Sequence, residues 1–407
     1  MRLAERMSRL GTETAFEVLA QVNALRAQGR DIMAFSIGEP DFDTPVNIRA
    51  AAKKALDEGY THYNPSAGLP VLREAAAAEV NRTRGTSYKT ENVVVVPGGK
   101  PIIFYTILSL IEKGDEVIYP NPGFPIYESM INFVGGKAVP LPLEEKHAFS
   151  FDPERLATLV TDRTRLVILN SPQNPTGGVV PLDALEWLAD LAKKHDFMVL
   201  SDEIYSRLVY NGTFQSITRF DGMVDRTIVL DGHSKTYAMT GWRLGYGCMP
   251  KELADQMALL MVNSNSCTAT FTQIAGAEAL TGPQTDAEAM KQTFHERRDL
   301  IVELLNGIEG IHCLVPAGAF YVWPNVTGVC EKLGLPDSNA LQDYLLYEGG
   351  VAALGRHCFG RRADDEDQEY LRFSYAASSE VIRKGLERVA EAVADTARAK
   401  KFLAAKK

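Results

Sequence analysis

The sequence predicts an α/β fold in which a mostly parallel sheet lies between layers of helices. Short apolar runs rich in β-branched residues alternate with amphipathic segments from about residue 92 to residue 281. That alternation is typical of parallel strands joined by helices on both faces of a sheet. The chain of 407 residues is 45% hydrophobic, which is enough for a large core and a second domain.

Seven helices are predicted where apolar residues recur at helical spacing. In the first of them Val18, Val22 and Leu25 share one face, and Gly29 provides the stop. In order, the predicted helices cover residues 13–27, 48–56, 69–80, 100–111, 182–194, 286–305 and 379–397. The tail, residues 398–407, is basic, and we expect a solvated helix end or a frayed segment without a binding role.

Ten strands are predicted from short apolar runs that end in turn residues. A run of four valines stopped by Pro97 is the clearest example. The predicted strands cover residues 35–37, 92–96, 116–119, 134–143, 165–169, 197–200, 228–230, 313–315, 320–323 and 370–375.

One strand–turn–helix junction has the arrangement that binds anions. Gly98 and Gly99 follow the valine strand and Lys100 begins a helix, so free backbone N–H groups converge there. A P-loop would need Gly at position 94 and Ser or Thr at position 101, where Val94 and Pro101 stand. We therefore predict that the two glycines and Lys100 bind a cofactor phosphate, mostly through backbone amides.

Lys235 is the strongest candidate for a catalytic residue. It follows a short buried strand and a polar turn, with Ser234 before it and Arg243 eight residues later. A desolvated lysine amine can attack a carbonyl and hold it as a Schiff base. Arg and Ser side chains bind phosphate oxygens. These neighbours suit a ligand that carries both an aldehyde and a phosphate, and pyridoxal phosphate is such a ligand.

The string SKTYAMTGWRLGY at residues 234–246 resembles the cofactor-lysine signature of the class I/II aminotransferases of the aspartate aminotransferase superfamily, the fold type I pyridoxal-phosphate enzymes. Six further motifs match in family order and extend over nearly the entire chain: GEPDFDTP (38–45), YNPSAG (63–68), NSPQNPTGG (170–178), SDEIY (201–205), PAGAFYVW (316–323) and LRFSYA (371–376).

The resemblance implies a large domain with a mostly parallel seven-stranded sheet between helices, and a smaller α+β domain. We expect residues 1–45 to form an N-terminal arm and part of the small domain. Residues 46–285 would form the large cofactor-binding domain and residues 286–407 the small one. The first residues of the chain are expected to fold back onto the small domain.

The resemblance also implies contacts to the cofactor. Asp202 would pair with the pyridine nitrogen, as suits a carboxylate at the carboxyl end of a parallel strand. Phe124 would stack on the ring, and Asn174 and Tyr205 would contact the phenolic oxygen. Tyr63 would reach across a dimer interface to the phosphate of the neighbouring subunit's cofactor. Glu203 would point the other way and be structural.

Substrate contacts follow in the same way. Arg372, flanked by Leu and Phe in a strand, needs an anionic partner if it is buried, and the resemblance assigns it the substrate α-carboxylate, with Gly38 and Asn174 beside it. Lys100 would reach a side-chain carboxylate. For Arg356 and His357 two alternatives stay open: a second anion contact, or exposure to solvent.

The implied function is an aminotransferase that moves an amino group from an L-amino acid to 2-oxoglutarate by a ping-pong mechanism through a Lys235 Schiff base. Lys100 favours aspartate, whereas Phe124 and apolar residues around Phe16 suit alanine or aromatic donors. A β-lyase on the same fold would share almost every cofactor residue. The expected assembly is a homodimer with shared active sites.

Composition limits the other possibilities. A net charge of −9 disfavours nucleic acid and anionic membranes as partners. The N-terminus lacks the apolar core of a signal peptide, so we expect a cytoplasmic protein. The five cysteines are widely scattered, without the spacing of a zinc site or a disulfide framework. We expect no metal.

Overall fold

A seven-stranded sheet forms the centre of the computed structural model, which describes residues 1–11, 13–363 and 366–405. The strands are β1 (Met33–Ala34), β2 (Val93–Val96), β3 (Glu116–Asn121), β4 (Lys137–Pro142), β5 (Thr164–Asn170), β6 (Met198–Asp202), β7 (Thr227–Gly232), β8 (Gly245–Cys248), β9 (Tyr321–Val322), β10 (Val351–Ala352), β11 (Leu354–Gly355) and β12 (Leu371–Ser374). The central sheet has the order β2-β8-β7-β6-β5-β3-β4, which confirms the predicted fold class.

Only β8 runs against the other strands of this sheet, because it pairs antiparallel with both β2 and β7. Every residue of β2, β3 and β7 is buried. Their apolar runs are therefore continuous rather than alternating, as expected for strands covered on both faces. The parallel strands β5 and β6 end together, with Asn170 opposite Asp202. This places two polar side chains at one edge of the sheet.

Helices cover the sheet and build the rest of the molecule. They are α1 (Thr14–Ala27), α2 (Val46–Asp57), α3 (Pro70–Arg84), α4 (Lys100–Leu110), α5 (Ile126–Val134), α6 (Pro153–Leu159), α7 (Leu182–His195), α8 (Lys251–Ser264), α9 (Thr270–Thr281), α10 (Thr285–Asn306), α11 (Thr327–Leu333), α12 (Ser338–Tyr344), α13 (Ser379–Ala394) and α14 (Thr396–Ala405). All seven predicted helices are present, and none of the described helices is long and apolar enough to cross a membrane.

A second core lies beside the sheet. The three-stranded sheet β11-β12-β9 and helices α10 to α14 enclose it, with Phe294, Phe320 and Phe373 almost completely buried. The 22 residues of α10 present Phe294 and Ile301 to this core. The boundaries at residues 45 and 285 stay predictions.

Three predicted elements are wrong in detail. Residues 313–315 form no strand, and their neighbour His312 makes only an isolated bridge to Asn325. The strand expected at residues 35–37 lies at Met33–Ala34, where it pairs with β10. The strand expected from residue 134 begins at Lys137, because α5 continues to Val134.

The two ends of the chain match their expectations only in part. The tail as far as Ala405 is not frayed: it forms α14, and Phe402 packs against Tyr344 with ring centroids 5.4 Å apart. In the N-terminal part, α1 packs in a cluster with Trp323, whereas the residues before α1 lie against α5. Arg9 donates to the carbonyl oxygen of Asn132 at 3.0 Å, near the end of α5. The expectation missed both contacts because each joins segments far apart in sequence.

Candidate active site

Lys235 lies just beyond β7 at the carboxyl edge of the sheet. Its Nζ donates to the carbonyl oxygen of Gly38 at 2.5 Å. Loss of water around the amine lowers the pKa of Lys235 to about 8, and the nearby positive charge of Arg372 acts in the same direction. Since a neutral amine is a nucleophile, this lowered pKa makes a larger fraction of Lys235 ready to attack a carbonyl near neutral pH than an exposed lysine would provide.

Asp202 ends β6 and is 5% exposed. Its Oδ2 accepts a hydrogen bond from the Tyr127 hydroxyl at 2.7 Å, and its Oδ1 accepts one from the Ile204 amide at 3.3 Å. Burial nevertheless raises the pKa of Asp202 to about 6. Within the described part of the chain no cation forms a salt bridge with this carboxylate. A buried acid without a cation is costly, and a cationic ligand would relieve that cost.

Arg372 lies on β12 and is 4% exposed. It donates to Asn174 Oδ1 at 2.9 Å and to the carbonyl oxygen of Ser36, and it lies over the Tyr321 ring at 4.6 Å. Its Nε has no hydrogen-bond partner in the structure as described. The protein thus leaves a buried guanidinium neutralised by no carboxylate of residues 1–11, 13–363 or 366–405, which points to an anionic ligand.

These three side chains face one cavity of about 480 Å³ between the edge of the sheet and the second core. Its lining includes eleven residues predicted for the site: Gly38, Gly99, Lys100, Phe124, Asn174, Asp202, Tyr205, Ser234, Lys235, Arg243 and Arg372. They come from strands, turns and helix starts spread across more than three hundred residues of the chain, so the fold assembles them. Their individual roles stay predictions.

One corner of the cavity has the features of a phosphate site. Gly98 has a φ of +86°, and a Cβ at this position would lie 2.1 Å from Arg243 Nη2. The absence of a side chain therefore lets Arg243 approach the first turn of α4. Ser234 and Gly99 line the cavity beside it. A guanidinium, a hydroxyl and a helix N-terminus at one place suit a phosphate group.

Lys100 follows Gly99 at the start of α4 and also lines the cavity. Its ammonium group forms an ion pair with Glu13, and it lies 5.7 Å from the Phe16 ring centre and 5.4 Å from that of Phe124. The Lys100 side chain is 43% exposed, whereas that of Glu13 is 14% exposed. The part of the cavity around Lys100 is therefore partly open to solvent and combines one ion pair with two aromatic rings.

The family comparison covers this whole arrangement. The model for aminotransferase class I and II matches residues 30–389 of the chain. The chain is a class I and II aminotransferase.

Relatives and solved structures agree with this family. The chain is 39% identical over 391 residues to the aspartate/prephenate aminotransferase of Thermus thermophilus, a match that covers 95% of this chain and 98% of that protein. The probable aspartate/prephenate aminotransferase of Aquifex aeolicus is 37% identical over 395 residues, covering 96% of this chain and 98% of its own length.

Among solved structures, the Thermus thermophilus aspartate aminotransferase with maleate superposes with a TM-score of 0.90 at 39% identity, covering 96% of this chain and all of that chain. The aromatic aminotransferase of Pyrococcus horikoshii OT3 gives a TM-score of 0.84 at 36% identity, covering 91% of this chain and 98% of that one.

The aminotransferase offers chemically suitable partners for each part of pyridoxal phosphate, the cofactor of this family. The Lys235 amine matches its aldehyde, and the corner formed by Gly98 and Arg243 matches its phosphate. Asp202, a buried carboxylate that pairs with no cation among the described residues, matches its pyridinium nitrogen. Because each match rests on a separate observation, the residues present fit the group.

Five residues named from the sequence do not line the cavity, among them Gly98, which lies against Arg243. Tyr63 is 89% exposed, and its expected role requires a second subunit. Arg356 neither faces solvent nor is free to bind a ligand anion, because it is buried and pairs with Glu366. His357 faces solvent. Glu203 is buried and pairs with Arg84 at 2.9 Å, in the direction expected for a structural residue.

Sequence reasoning missed several residues that line the cavity. Tyr127 holds Asp202, and the Tyr321 hydroxyl lies 2.7 Å from that of Tyr205. Tyr321 lies in the motif PAGAFYVW and Tyr127 lies three residues after Phe124, so both positions offered a signal. Glu13 offered none, because no local pattern connects it with Lys100, 87 residues away.

Proposed function

We propose that this aminotransferase binds pyridoxal phosphate on Lys235 and transfers the amino group of an acidic L-amino acid, aspartate in preference, to 2-oxoglutarate. The observation that carries the proposal is the pair of cations at separate places in one cavity. Arg372 is buried without a carboxylate partner among the described residues, and Lys100 lines the same cavity with a side chain that is 43% exposed. A dicarboxylic substrate has one anionic group for each cation.

The cofactor would be held from three directions. Lys235 binds its aldehyde carbon, Ser234, Arg243 and the start of α4 bind its phosphate, and Asp202 keeps a proton on its pyridine nitrogen. When bound, pyridoxal phosphate draws electrons away from the substrate Cα and so weakens the bond to the Cα proton. Tyr127 keeps Asp202 oriented through the 2.7 Å hydrogen bond.

Lys235 is the residue that would transfer the Cα proton of the substrate. Burial and the positive charge of Arg372 hold its pKa at about 8, so the amine accepts a proton readily near neutral pH. After the substrate amine displaces it from the aldehyde carbon, the free Lys235 amine would take the proton from the substrate Cα, and it would deliver a proton to the Cα of the second 2-oxo acid in the second half-reaction. One cavity serves both half-reactions, and the first 2-oxo acid leaves before the second enters. This order of events is a ping-pong mechanism.

The α-carboxylate of the substrate would bind Arg372. A guanidinium binds a carboxylate through two parallel hydrogen bonds, and burial of Arg372 strengthens that pairing. Asn174 already holds one Arg372 nitrogen at 2.9 Å and so fixes its orientation. Gly38 leaves room beside this group, because a Cβ there would lie 2.0 Å from the Tyr321 hydroxyl.

The side chain of the substrate would extend toward Lys100. Aspartate carries a carboxylate that an ammonium group can pair with, and two relatives above are described as aspartate/prephenate aminotransferases. Both names describe dicarboxylic acids as substrates, which supports an acidic side-chain site. A neutral donor is the second candidate, favoured by Phe16 and Phe124 beside Lys100 and by the aromatic aminotransferase among the similar structures.

A homodimer with shared active sites belongs to the same proposal. Four apolar side chains on the adjacent helices α4 and α8 are exposed, namely Phe104, Leu108, Leu259 and Val262, by 37%, 38%, 55% and 54%. Contiguous exposed apolar surface marks an interaction site. A second copy of the chain would cover this face and bring Tyr63, itself 89% exposed, to the neighbouring cofactor.

A panel of amino donors tests the substrate assignment. We expect aspartate to give its amino group to 2-oxoglutarate and glutamate to give its amino group to oxaloacetate. Lys100→Ala should lower kcat/KM for both donors roughly 30-fold, which corresponds to about 2 kcal/mol. The expected loss is at the low end for an ion pair because Lys100 is 43% exposed. Alanine and phenylalanine should change little in the same variant. Equal losses of kcat/KM for acidic and neutral donors would show that Lys100 does not recognise the substrate side chain.

A further inference from the structure

Glu13 occupies the place where the side-chain carboxylate of an acidic substrate would bind. It pairs with Lys100 and is the less exposed partner, at 14% against 43%. Burial lowers the pKa of Arg372, and the Glu13 carboxylate is among the negative charges that oppose this shift. Glu13 therefore lies within electrostatic range of both cations that the proposed function assigns to substrate carboxylates.

The chain on each side of Glu13 is anchored to a different part of the molecule. Before it, the Gly11 amide donates to Ser129 Oγ on α5 at 2.9 Å, beside the central sheet. After it, α1 buries Val18 and Val22 against the region of Trp323. Glu13 thus stands where the chain crosses from one core to the other, and movement between these parts would move its carboxylate relative to Lys100.

We infer that Glu13 is a specificity-determining residue, an internal carboxylate that competes with acidic substrates for Lys100. The inference rests on the proposed function, because it concerns the same side-chain site. An acidic donor must displace Glu13 to reach the ammonium group, so it binds more weakly than Lys100 alone would allow. A neutral donor leaves the ion pair in place. Its side chain then contacts a cavity surface without net charge, formed by that pair, Phe16 and Phe124.

Two consequences distinguish this arrangement from a simple cationic pocket. Removing the Glu13 charge should improve acidic donors, whereas removing a residue that only supports the fold would impair all donors. The improvement should also disappear when Lys100 is absent, because the competition requires both residues. Neutral donors should respond to both changes less than acidic donors, since they do not need a free ammonium group.

Binding of succinate and butyrate to the cofactor-loaded enzyme tests the inference. Both ligands have four carbons, but only succinate carries a second carboxylate. In Glu13→Gln we expect succinate to bind about fivefold more tightly, because displacement of one partly exposed ion pair is no longer required. Butyrate should bind with unchanged affinity. Calorimetry measures both dissociation constants, and kcat/KM for aspartate should rise by the same factor while that for alanine stays constant.

Two variants control the experiment. Glu17→Gln removes the same charge from an exposed position on α1 and should leave succinate binding unchanged. Glu13→Gln combined with Lys100→Gln should abolish the gain. Unchanged or weaker succinate binding in Glu13→Gln would overturn the role of Glu13, and the proposed function would stand if Lys100→Ala still impaired acidic donors. If Lys100→Ala left acidic donors unaffected, the acidic side-chain site itself would be wrong.

Discussion

Asp202 shows how a single residue can be suited to a ligand at the expense of stability. It is a carboxylate with 5% exposure that no described cation pairs with, and burial raises its pKa from 3.8 to about 6. The folded state therefore binds more protons at this group than the unfolded state between those two values. Above the higher value the folded protein carries an unpaired buried charge, which costs free energy.

Asp202→Asn should stabilise the cofactor-free protein at pH 7. A difference of about two pKa units corresponds to about 3 kcal/mol, so we expect the free energy of unfolding to rise by up to that amount. The gain should shrink as pH falls from 6 toward 4, where the aspartate becomes protonated. Denaturant unfolding at pH 7 and at pH 4 measures this gain in the free energy of unfolding. The control is Asp162→Asn, a substitution at an exposed position. A variant less stable than the wild type at pH 7 would contradict the assignment of a buried charge.

The same substitution should weaken cofactor binding, because asparagine cannot hold a proton on the pyridine nitrogen. Stability without the cofactor and affinity for it should therefore change in opposite directions. This opposition is what distinguishes a ligand-binding acid from a structural one.

At the scale of elements, a buried ion cluster joins α3 to the sheet behind Asp202. Arg84, at the end of α3, donates to Glu203 Oε2 at 2.9 Å, to Ser206 Oγ at 3.0 Å and to Asp231. Glu203 follows β6 directly and Asp231 belongs to β7. One guanidinium thus compensates two carboxylates and connects one helix with two neighbouring strand ends.

Arg84→Met should destabilise the protein by about 3–5 kcal/mol, because it leaves two buried carboxylates without their cation. The matched control is Arg49→Met, whose pair with Asp43 at 3.7 Å is exposed and should contribute less than about 1 kcal/mol. Thermal or denaturant unfolding at pH 7 compares the two variants. Equal effects of both substitutions would show that burial does not govern the contribution of Arg84.

At the scale of the whole molecule, the exposed apolar face of α4 and α8 and the exposed Tyr63 lead to one expectation, a dimer with shared sites. The helix α4 that exposes Phe104 and Leu108 also begins at the cavity with Lys100. A partner subunit that covers this face would come close to the cofactor. Assembly and catalysis should therefore depend on each other.

Mixing two impaired chains tests this dependence. Lys235→Ala lacks the catalytic amine, and Tyr63→Phe lacks the hydroxyl expected at the partner's phosphate. Reassembled together, they should form mixed dimers with one intact site, giving up to about a quarter of the wild-type activity above the residual activity of Tyr63→Phe. The control is Tyr60→Phe, a change at another exposed tyrosine, which should remain active alone. A fully active monomer in sedimentation would contradict the shared site.

The elements that carry the chemistry could be predicted from the sequence. Lys235, Asp202, Asn174 and Arg372 all lie in short motifs within or beside strands, and the structure brings them to one cavity. Prediction succeeded here because the apolar pattern of a parallel strand identifies its carboxyl end. In an open α/β sheet that end is where ligands bind. That position accounts for Asp202 and Lys235, whereas Asn174 and Arg372, which lies on the antiparallel strand β12, were assigned through the family resemblance.

Contacts between distant segments were decided only by the tertiary structure. Glu13 meets Lys100 across 87 residues, Tyr127 meets Asp202 across 75, and Arg84 meets Asp231 across 147. The periodicity of a segment specifies which of its faces is buried, but it does not specify which side chain of another segment lies opposite. That choice depends on how the elements pack, and the same packing converted the tail into a docked helix and gave Arg356 its carboxylate partner Glu366.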